Sequence, residues 1–401
     1  MDLIGIHRHG ARLQATGFYL MNSTEQAFFT SNTLSASRYA FFLAGACLGA
    51  WAPLVPFAKE RAQIGEAELG LLLLGLGTGS MCMMPFVARL ANRIGCRTTV
   101  YLASAVTAVA LIGLATATSY WALLAFLFLF GAAIGTADVN MNLQGSLVER
   151  HHGKQMMSGF HGLASVGNIF GAGMVSLLLW LGLNPVQSIL MLALGLGVVL
   201  LSLGRHMLPF AEFKGAPAKM KPTKLVLLLA GLCFIAFLVE GSMLDWSAVY
   251  LTSNRDVDPD IAGIGYAAFS VTMAVGRLLG DWIVSKVGSR AVLVVGSVLA
   301  MGGMALAVGI DHWIVSVLGF VLVGLGISNL VPIFCSKAGH QTVMPVAQAL
   351  AIVNAIGYLG ILMGPAAIGF IAHATSLSFS LLLTSALLVL VLCGAKIASY
   401  K

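Results

Sequence analysis

The sequence predicts an all-α membrane protein with twelve transmembrane helices in two six-helix halves. Hydrophobic residues make up 59% of the 401 residues and charged residues only 9%, whereas soluble domains average about 25% charged residues. The apolar runs are about 20 residues long and do not alternate with polar residues, which is typical of membrane-spanning helices and not of barrel strands.

Twelve such apolar runs can be followed along the chain. The fourth and seventh are longer than a bilayer requires, which indicates that these helices tilt or protrude. The spans are expected at residues 37–57, 68–90, 98–117, 121–148, 157–181, 185–204, 224–251, 260–284, 290–310, 312–336, 346–372 and 376–395.

Two polar stretches divide the chain. Residues 1–34 lack the apolar core of a signal peptide and are expected to form a disordered cytoplasmic tail. Residues 205–224 carry five Lys or Arg and are expected to be a cytoplasmic linker. The linker separates an N-terminal half, residues 35–204, from a C-terminal half, residues 225–401.

The distribution of Lys and Arg predicts the orientation. With the N-terminus inside, 19 of the 22 Lys and Arg residues lie in cytoplasmic segments or adjoining helix ends, and the exceptions are Lys59, Arg61 and Arg255. Both termini are therefore expected in the cytoplasm and the protein in a bacterial-type inner membrane. The net charge of +7 belongs to these loops and does not indicate a nucleic-acid partner.

The two halves resemble each other. A single constant shift along the chain brings glycines at corresponding places of corresponding spans into register, and it sets Asn354 opposite His161. Two six-helix halves joined by a basic linker are a plan of parallel-repeat transporters. The glycine pairs that this shift relates are Gly70 and Gly263, Gly95 and Gly288, Gly131 and Gly324, Gly167 and Gly360, and Gly171 and Gly364.

One short loop carries a family signature. The run Leu90–Arg97, Leu-Ala-Asn-Arg-Ile-Gly-Cys-Arg, resembles the signature of the major facilitator superfamily, with Asn92 in place of its acid. The resemblance implies the major facilitator fold and a gating role for Arg93, Gly95 and Arg97. The second half contains a looser version around Arg277 and Asp281.

Three further phrases narrow the resemblance to bacterial rhizopine-permease-like proteins, distant relatives of fucose permeases. They lie at residues 137–142, 158–162 and 240–247. This likeness implies a secondary transporter of the inner membrane and leaves the substrate open.

Asp138 is the first candidate for a functional side chain. It shares a helical stripe with Asn142 and glycines, and an aspartate in the middle of a membrane helix costs about 3 kcal/mol or more. It is either a protonatable or substrate-binding group or a helix–helix hydrogen-bonding group. Asn140 and Gln144 lie about 200° or more around the helix, so only one of the two stripes can face a cavity.

Other candidates come from both halves. His161 is expected near the depth of Asp138, on the cytoplasmic side, as a proton relay or a buried core histidine. Glu240 and Asp245 are placed in the outer half of the seventh span. Glu240 is the deeper and the better coupling candidate, whereas Asp245 either couples or only pairs locally.

The remaining candidates are gate and ligand contacts. Arg277 and Asp281 are four residues apart and are expected to form an ion pair near the inner end of their helix, as a gate latch or a plain surface pair. Trp51 and Trp246 either contact a ligand or mark the interface. Asn354 and Tyr358, one turn apart, are either ligand contacts or core residues.

These observations favour a proton-coupled transporter of a small polar organic solute, such as a sugar or polyol derivative, working by alternating access as a monomer. No enzyme motif, cofactor site or metal site is evident. No buried base is evident at mid-membrane, which argues against an obligate anion carrier. A drug-type proton antiporter and a non-transporting receptor or scaffold are the alternatives, and uptake and export are both open.

Overall fold

A computed structural model describes residues 27–64, 66–211, 221–257 and 264–399. Most of the predicted N-terminal tail and residues 212–220 of the predicted linker therefore lie outside the described residues, as does Gly263. The first helix begins at Ser31, so the last four residues of the predicted tail are helical.

Within the described ranges the protein is helical and contains no strand. The α-helices, numbered in chain order, are α1 Ser31–Gly49, α2 Val55–Ala62, α3 Glu66–Thr116, α4 Tyr120–His152, α5 Met157–Trp180, α6 Pro185–Leu203, α7 Lys224–Arg255, α8 Ile264–Val287, α9 Ser289–Gly309, α10 Trp313–Ile327, α11 Leu330–His340, α12 Val346–Ala374, α13 Leu377–Ala386 and α14 Leu388–Ala398.

The helices account for the twelve predicted spans. Ten helical stretches among the described residues are long and apolar enough to cross a membrane. One of them, within α3, joins the predicted second and third spans and is interrupted at Gly95, whose φ is 82° and ψ is 162°. The predicted first span, which is not among the ten, corresponds to α1 and the start of α2. The tenth span consists of α10 and α11 and the twelfth of α13 and α14.

The internal repeat is visible in the backbone. Gly288, the counterpart of Gly95 in the second half, has almost the same conformation, with φ 83° and ψ 150°. A Cβ on Gly131 would lie 1.8 Å from the carbonyl oxygen of Leu76, and a Cβ on Gly324 would lie 2.5 Å from that of Phe269. Since the shift that relates Gly131 to Gly324 also relates Leu76 to Phe269, the same helix contact occurs in both halves, and only glycine permits so close an approach.

Each half packs mainly on itself. In the N-terminal half α3 packs on α4 and α1 on α5, and in the C-terminal half α7 packs on α12 and α9 on α10. Contacts between the halves involve α5 with α8, α3 with α12, and α4 with α11 and α12. The polar residues of these interface helices consequently meet between the halves.

Candidate functional site

Asp138 lies near the middle of α4, where the two halves meet. Its Oδ2 accepts a hydrogen bond of 3.3 Å from Asn354 Nδ2 of α12, and Tyr358, one turn further along α12, also interacts with the carboxylate. Asn142 Nδ2 donates to the Asp138 carbonyl oxygen over 2.9 Å and lies 3.5 Å from Oδ1. Among the described residues, the hydrogen-bond partners of this acid are all neutral.

His161 extends this network through Asn142. His161 Nε2 lies 3.1 Å from Asn142 Oδ1. Because an amide oxygen can only accept, Nε2 carries the proton in this arrangement. The imidazole is buried and packs edge-on against Phe41 with 5.4 Å between ring centroids. The structure thus joins Asp138, Asn142 and His161 with Asn354 and Tyr358, as a polar network between the halves.

A buried ion pair adjoins the network. Arg277 Nη2 lies 3.1 Å from Glu240 Oε2, and the two side chains are 11% and 25% exposed. Arg277 Nη1 also donates to Ser165 Oγ over 3.3 Å, so the arginine reaches across to the N-terminal half. Ser165 in turn donates to the carbonyl oxygen of His161 over 3.2 Å.

The predicted pairing of Arg277 with Asp281 is therefore wrong. A spacing of four residues permits that pair, but the long arginine side chain reaches Glu240 on the neighbouring helix instead. The contact also shows that the charged groups of Glu240 and Arg277 lie at the same depth, although the sequence placed the two residues towards opposite ends of their helices. Arg277 is moreover a buried base between the halves, which the sequence analysis did not anticipate.

Asp281 makes a different contact between the halves. Its two carboxylate oxygens accept hydrogen bonds of 2.9 Å from the backbone N–H of Ser158 and 2.7 Å from that of Gly159. These N–H groups belong to the first turn of α5, where unpaired donors and the helix dipole favour an anion. A Cβ on Gly159 would lie 2.6 Å from Asp281 Oδ2, so the glycine makes room for this contact.

Glu149 was missed by the sequence analysis. It is 1% exposed and accepts hydrogen bonds from the backbone N–H of Met156 and Met157 over 2.7 and 3.0 Å. From the other half, the Ser336 hydroxyl donates to its Oε1, and His340 Nδ1 lies 3.6 Å away. In the sequence, Glu149 belongs to the charged run that ends α4, where side chains are expected to be solvated. No sequence pattern distinguishes it from a surface glutamate.

The second polar stripe of α4 faces its own half. Asn140 Nδ2 donates to the Cys96 carbonyl oxygen over 2.8 Å. Gln144 hydrogen-bonds to the Ser37 hydroxyl and accepts from the Leu208 N–H. The structure thus keeps Asn140 apart from the network, and the stripe with Asp138 and Asn142 is the one that faces the C-terminal half.

The other predicted ligand contacts lie away from the network. Asp245 is exposed, and Trp246 is partly buried beside Gly369. Trp51 is a core residue that is 6% exposed. Among the described residues, no group of three or more His, Cys, Asp or Glu side chains is arranged to hold a metal ion.

The predicted gating residues of the signature loop have separate roles. A Cβ on Gly95 would lie 1.9 Å from the carbonyl oxygen of Pro209. The backbone N–H of Arg97 donates to the Leu208 carbonyl over 3.0 Å, and its guanidinium donates to that of Arg205 over 3.1 Å. Gly95 and Arg97 thus anchor the segment after α6, whereas Arg93 is exposed in a groove between α3 and α12.

Comparisons with known proteins agree with this architecture. A family model described as Major Facilitator Superfamily matches residues 39–253 and 228–398. An uncharacterized MFS-type transporter of Yersinia pestis is 47% identical over 362 residues, which cover 90% of this chain and 94% of that protein. Membrane protein MosC of Rhizobium meliloti is 32% identical over 366 residues, which cover 90% of this chain and 89% of that protein.

Solved structures share the fold. The fucose:proton symporter of Escherichia coli matches with a TM-score of 0.76 at 13% identity, over 92% of this chain and 98% of that one. The human organic anion transporter MFSD10 matches with a TM-score of 0.73 at 15% identity, over 91% and 99%. At such identities the likeness concerns the fold alone. The predicted fold class and the predicted superfamily resemblance are confirmed.

Proposed function

Because the chain belongs to the Major Facilitator Superfamily, whose members are membrane transporters and not enzymes, we propose that it is a proton-coupled transporter of a small polar organic solute. One observation carries the proposal. Asp138 is a membrane-embedded carboxylate that both halves contact through neutral groups, Asn142 on one side and Asn354 and Tyr358 on the other.

The neutral surroundings of Asp138 favour proton coupling. A charged carboxylate in the membrane interior costs about 3 kcal/mol or more, and protonation removes most of this cost. Glu240 differs, since Arg277 compensates its charge at 3.1 Å. Of the two acids that the sequence singles out for coupling, Asp138 is therefore the stronger candidate. The Asn142 amide connects it to His161, which would act as a proton relay.

Alternating access would use the contacts at one end of the network. The hydrogen bonds from the backbone of α5 to Asp281 and from Ser336 to Glu149 join the halves beside the turn between α4 and α5. Hydrogen bonds to charged groups contribute about 1.5–3 kcal/mol each. Opening this side must break both contacts, so proton or solute binding must favour the open state by a comparable amount.

The chemistry of the network favours a neutral, hydroxyl-rich solute such as a sugar or polyol derivative. Amide groups, a tyrosine hydroxyl and an imidazole both donate and accept hydrogen bonds. The only buried base that the structure describes beside them, Arg277, is already paired with Glu240, so the site has no net positive charge to select an anion.

The test compares Asp138→Asn with the parent protein and with Asp245→Asn, an acid-to-amide control at an exposed position outside the network. A thermal-shift screen against sugars, polyols and drug-like cations first identifies a solute. In the parent, solute affinity should depend on pH, tightening at low pH for symport and weakening for antiport. The asparagine retains shape and hydrogen bonding but cannot titrate, so its affinity should not change with pH.

Proteoliposome uptake completes the experiment. Asp138→Asn should exchange solute at equal pH on both sides but fail to accumulate it under a pH gradient, whereas Asp245→Asn should accumulate it as the parent does. Accumulation by Asp138→Asn at the parental level would remove Asp138 as the coupling site. Binding without any exchange by the parent would indicate a receptor, and preference for drug-like cations a drug-type antiporter.

We further propose a monomer in a bacterial-type inner membrane, with both termini and the linker cytoplasmic, as the Lys and Arg distribution indicates. In a cysteine-free background, a cysteine at Asn184, in the turn before α6, should react with an impermeant thiol reagent from outside intact cells. A cysteine at Lys154, in the turn between α4 and α5, should react only after permeabilisation. The reverse pattern would invert the orientation.

A further inference from the structure

A groove separate from the polar network lies between the two halves, where α3 meets α12. Its volume is about 810 Å³. Arg89 and Arg93 of α3 line it, together with Lys221, which precedes α7. The described lining contains no carboxylate, so the groove carries three positive charges and attracts an anion.

The lining changes character along the groove. Arg93 and Asn92 lie in the last turn before the break at Gly95, and Gln348 lies in the first turn of α12. Pro85 and Ala355 line the other end. Since a helix rises about 1.5 Å per residue, Pro85 is about 12 Å deeper in the helix than Arg93. The groove is thus polar and cationic at the helix ends and apolar towards the membrane interior.

The groove opens on a flank of the helix bundle. On α12, Asn354 contacts Asp138 between the halves, whereas the groove residues Gln348, Ala351, Ile352 and Ala355 lie about 60–160° away from it around the helix. On α3, Phe86 is 51% exposed beside the groove and packs under the Arg89 guanidinium, 5.7 Å from its ring centroid. This flank is an apolar, lipid-facing surface that is cationic at the end near Arg93.

We propose that this groove binds a phospholipid with an anionic headgroup. The headgroup phosphate would lie among Arg89, Arg93 and Lys221, and an acyl chain would follow the apolar floor towards Pro85 and Ala355. Arginine pairs with phosphate through two parallel N–H donors, and the amide of Asn92 offers further donors for headgroup oxygens. A soluble anion would use the charges but leave the apolar floor uncovered.

The groove is bounded by both halves, since α3 belongs to the N-terminal and α12 to the C-terminal half. A lipid held there contacts both, and any change in their relative position alters its site. Lipid binding is therefore thermodynamically linked to the access state of the protein.

The experiment uses the full chain, purified and delipidated in detergent, with phosphatidylglycerol in mixed micelles as the probe. Binding is measured by native mass spectrometry and by the thermal shift, against phosphatidylcholine and inorganic phosphate. The variant Arg89→Gln/Arg93→Gln removes two groove charges. Its control, Lys286→Gln/Arg290→Gln, removes two exposed charges at the equivalent loop of the second half, where Lys286 is the counterpart of Arg93 under the repeat shift.

Each basic residue near a membrane surface contributes about a fivefold gain in affinity for anionic lipid. The groove variant should therefore bind phosphatidylglycerol about 25-fold more weakly than the parent, and the control should bind within about twofold of it. Lys221 lies outside any helix, so Lys221→Gln serves as a second variant if the double variant folds poorly. It should weaken phosphatidylglycerol binding about fivefold.

Three results would overturn the proposal. The first is equal weakening by the groove and control variants, which would show a general charge effect. The second is equal binding of phosphatidylcholine, which would show that the headgroup charge is irrelevant. The third is competition by inorganic phosphate at the same concentration as the lipid, which would assign the site to a soluble anion.

Discussion

The ion pair between Arg277 and Glu240 gives a quantitative test of the site. At a separation of 3.1 Å and an effective dielectric constant of about 20, two unit charges attract each other by about 5 kcal/mol. Both side chains are largely withdrawn from solvent, so desolvation offsets part of this attraction. We expect a coupling free energy of about 2–3 kcal/mol, the upper range for hydrogen bonds between charged groups.

The measurement is a double-mutant cycle on the free energy of unfolding in mixed detergent micelles, with Arg277→Gln, Glu240→Gln and the double variant. Each single variant leaves a buried charge without its partner and should destabilise strongly, whereas the double variant should recover most of the loss.

The control is a second cycle that combines Arg277→Gln with Asp281→Asn. Since Asp281 binds the backbone of Ser158 and Gly159 instead, this coupling should be below about 0.5 kcal/mol. If the coupling to Asp281 exceeded that to Glu240, the assignment of both partners would be refuted, and with it the common depth of Arg277 and Glu240.

Two further predictions concern the break in α3 and the contact between the halves. Gly95→Ala should cost about 3 kcal/mol of stability or more, because backbone strain at a positive φ adds to the clash of its Cβ with the Pro209 carbonyl oxygen. Gly182→Ala, with φ 90° and open space around it, should cost only about 1–2 kcal/mol. Equal shifts in the melting temperature would contradict the steric argument. Ser336→Ala removes a hydrogen bond to Glu149 worth about 1.5–3 kcal/mol and should lengthen the distance between spin labels at Lys154 and Thr342, and an unchanged distance distribution would show that this bond does not hold the halves together.

Much of the fold could be predicted because its determinants are local. The hydrocarbon thickness sets the length of each apolar run, so the spans follow from hydropathy alone. The repeat is visible as glycines at one constant separation along the chain, and the structure explains why those positions require glycine. Gly131 and Gly324 each pack against a backbone carbonyl, and Gly95 and Gly288 share a positive φ, so no other residue type fits those positions.

The site depended on information that helical periodicity does not contain. The spacing along α4 separates the Asp138 stripe from the Asn140 stripe, but only the rotation of α4 in the bundle decides which one meets the C-terminal half. The same limit explains the error at Arg277. A flexible arginine can reach a partner on its own helix or on a neighbour, and the neighbour prevails where the packing brings a carboxylate within reach.

Glu149 shows the limit most clearly. In the sequence it is one more charge at the polar end of a helix, a place where charges are usually solvated. It is buried because α11 of the other half covers it and the first turn of α5 provides N–H donors for its carboxylate. The sequence by itself determined the membrane spans and their repeat, since these depend on neighbours along the chain. Only the tertiary structure decided which polar side chains meet, because the contacts between the halves join residues that are far apart along the chain.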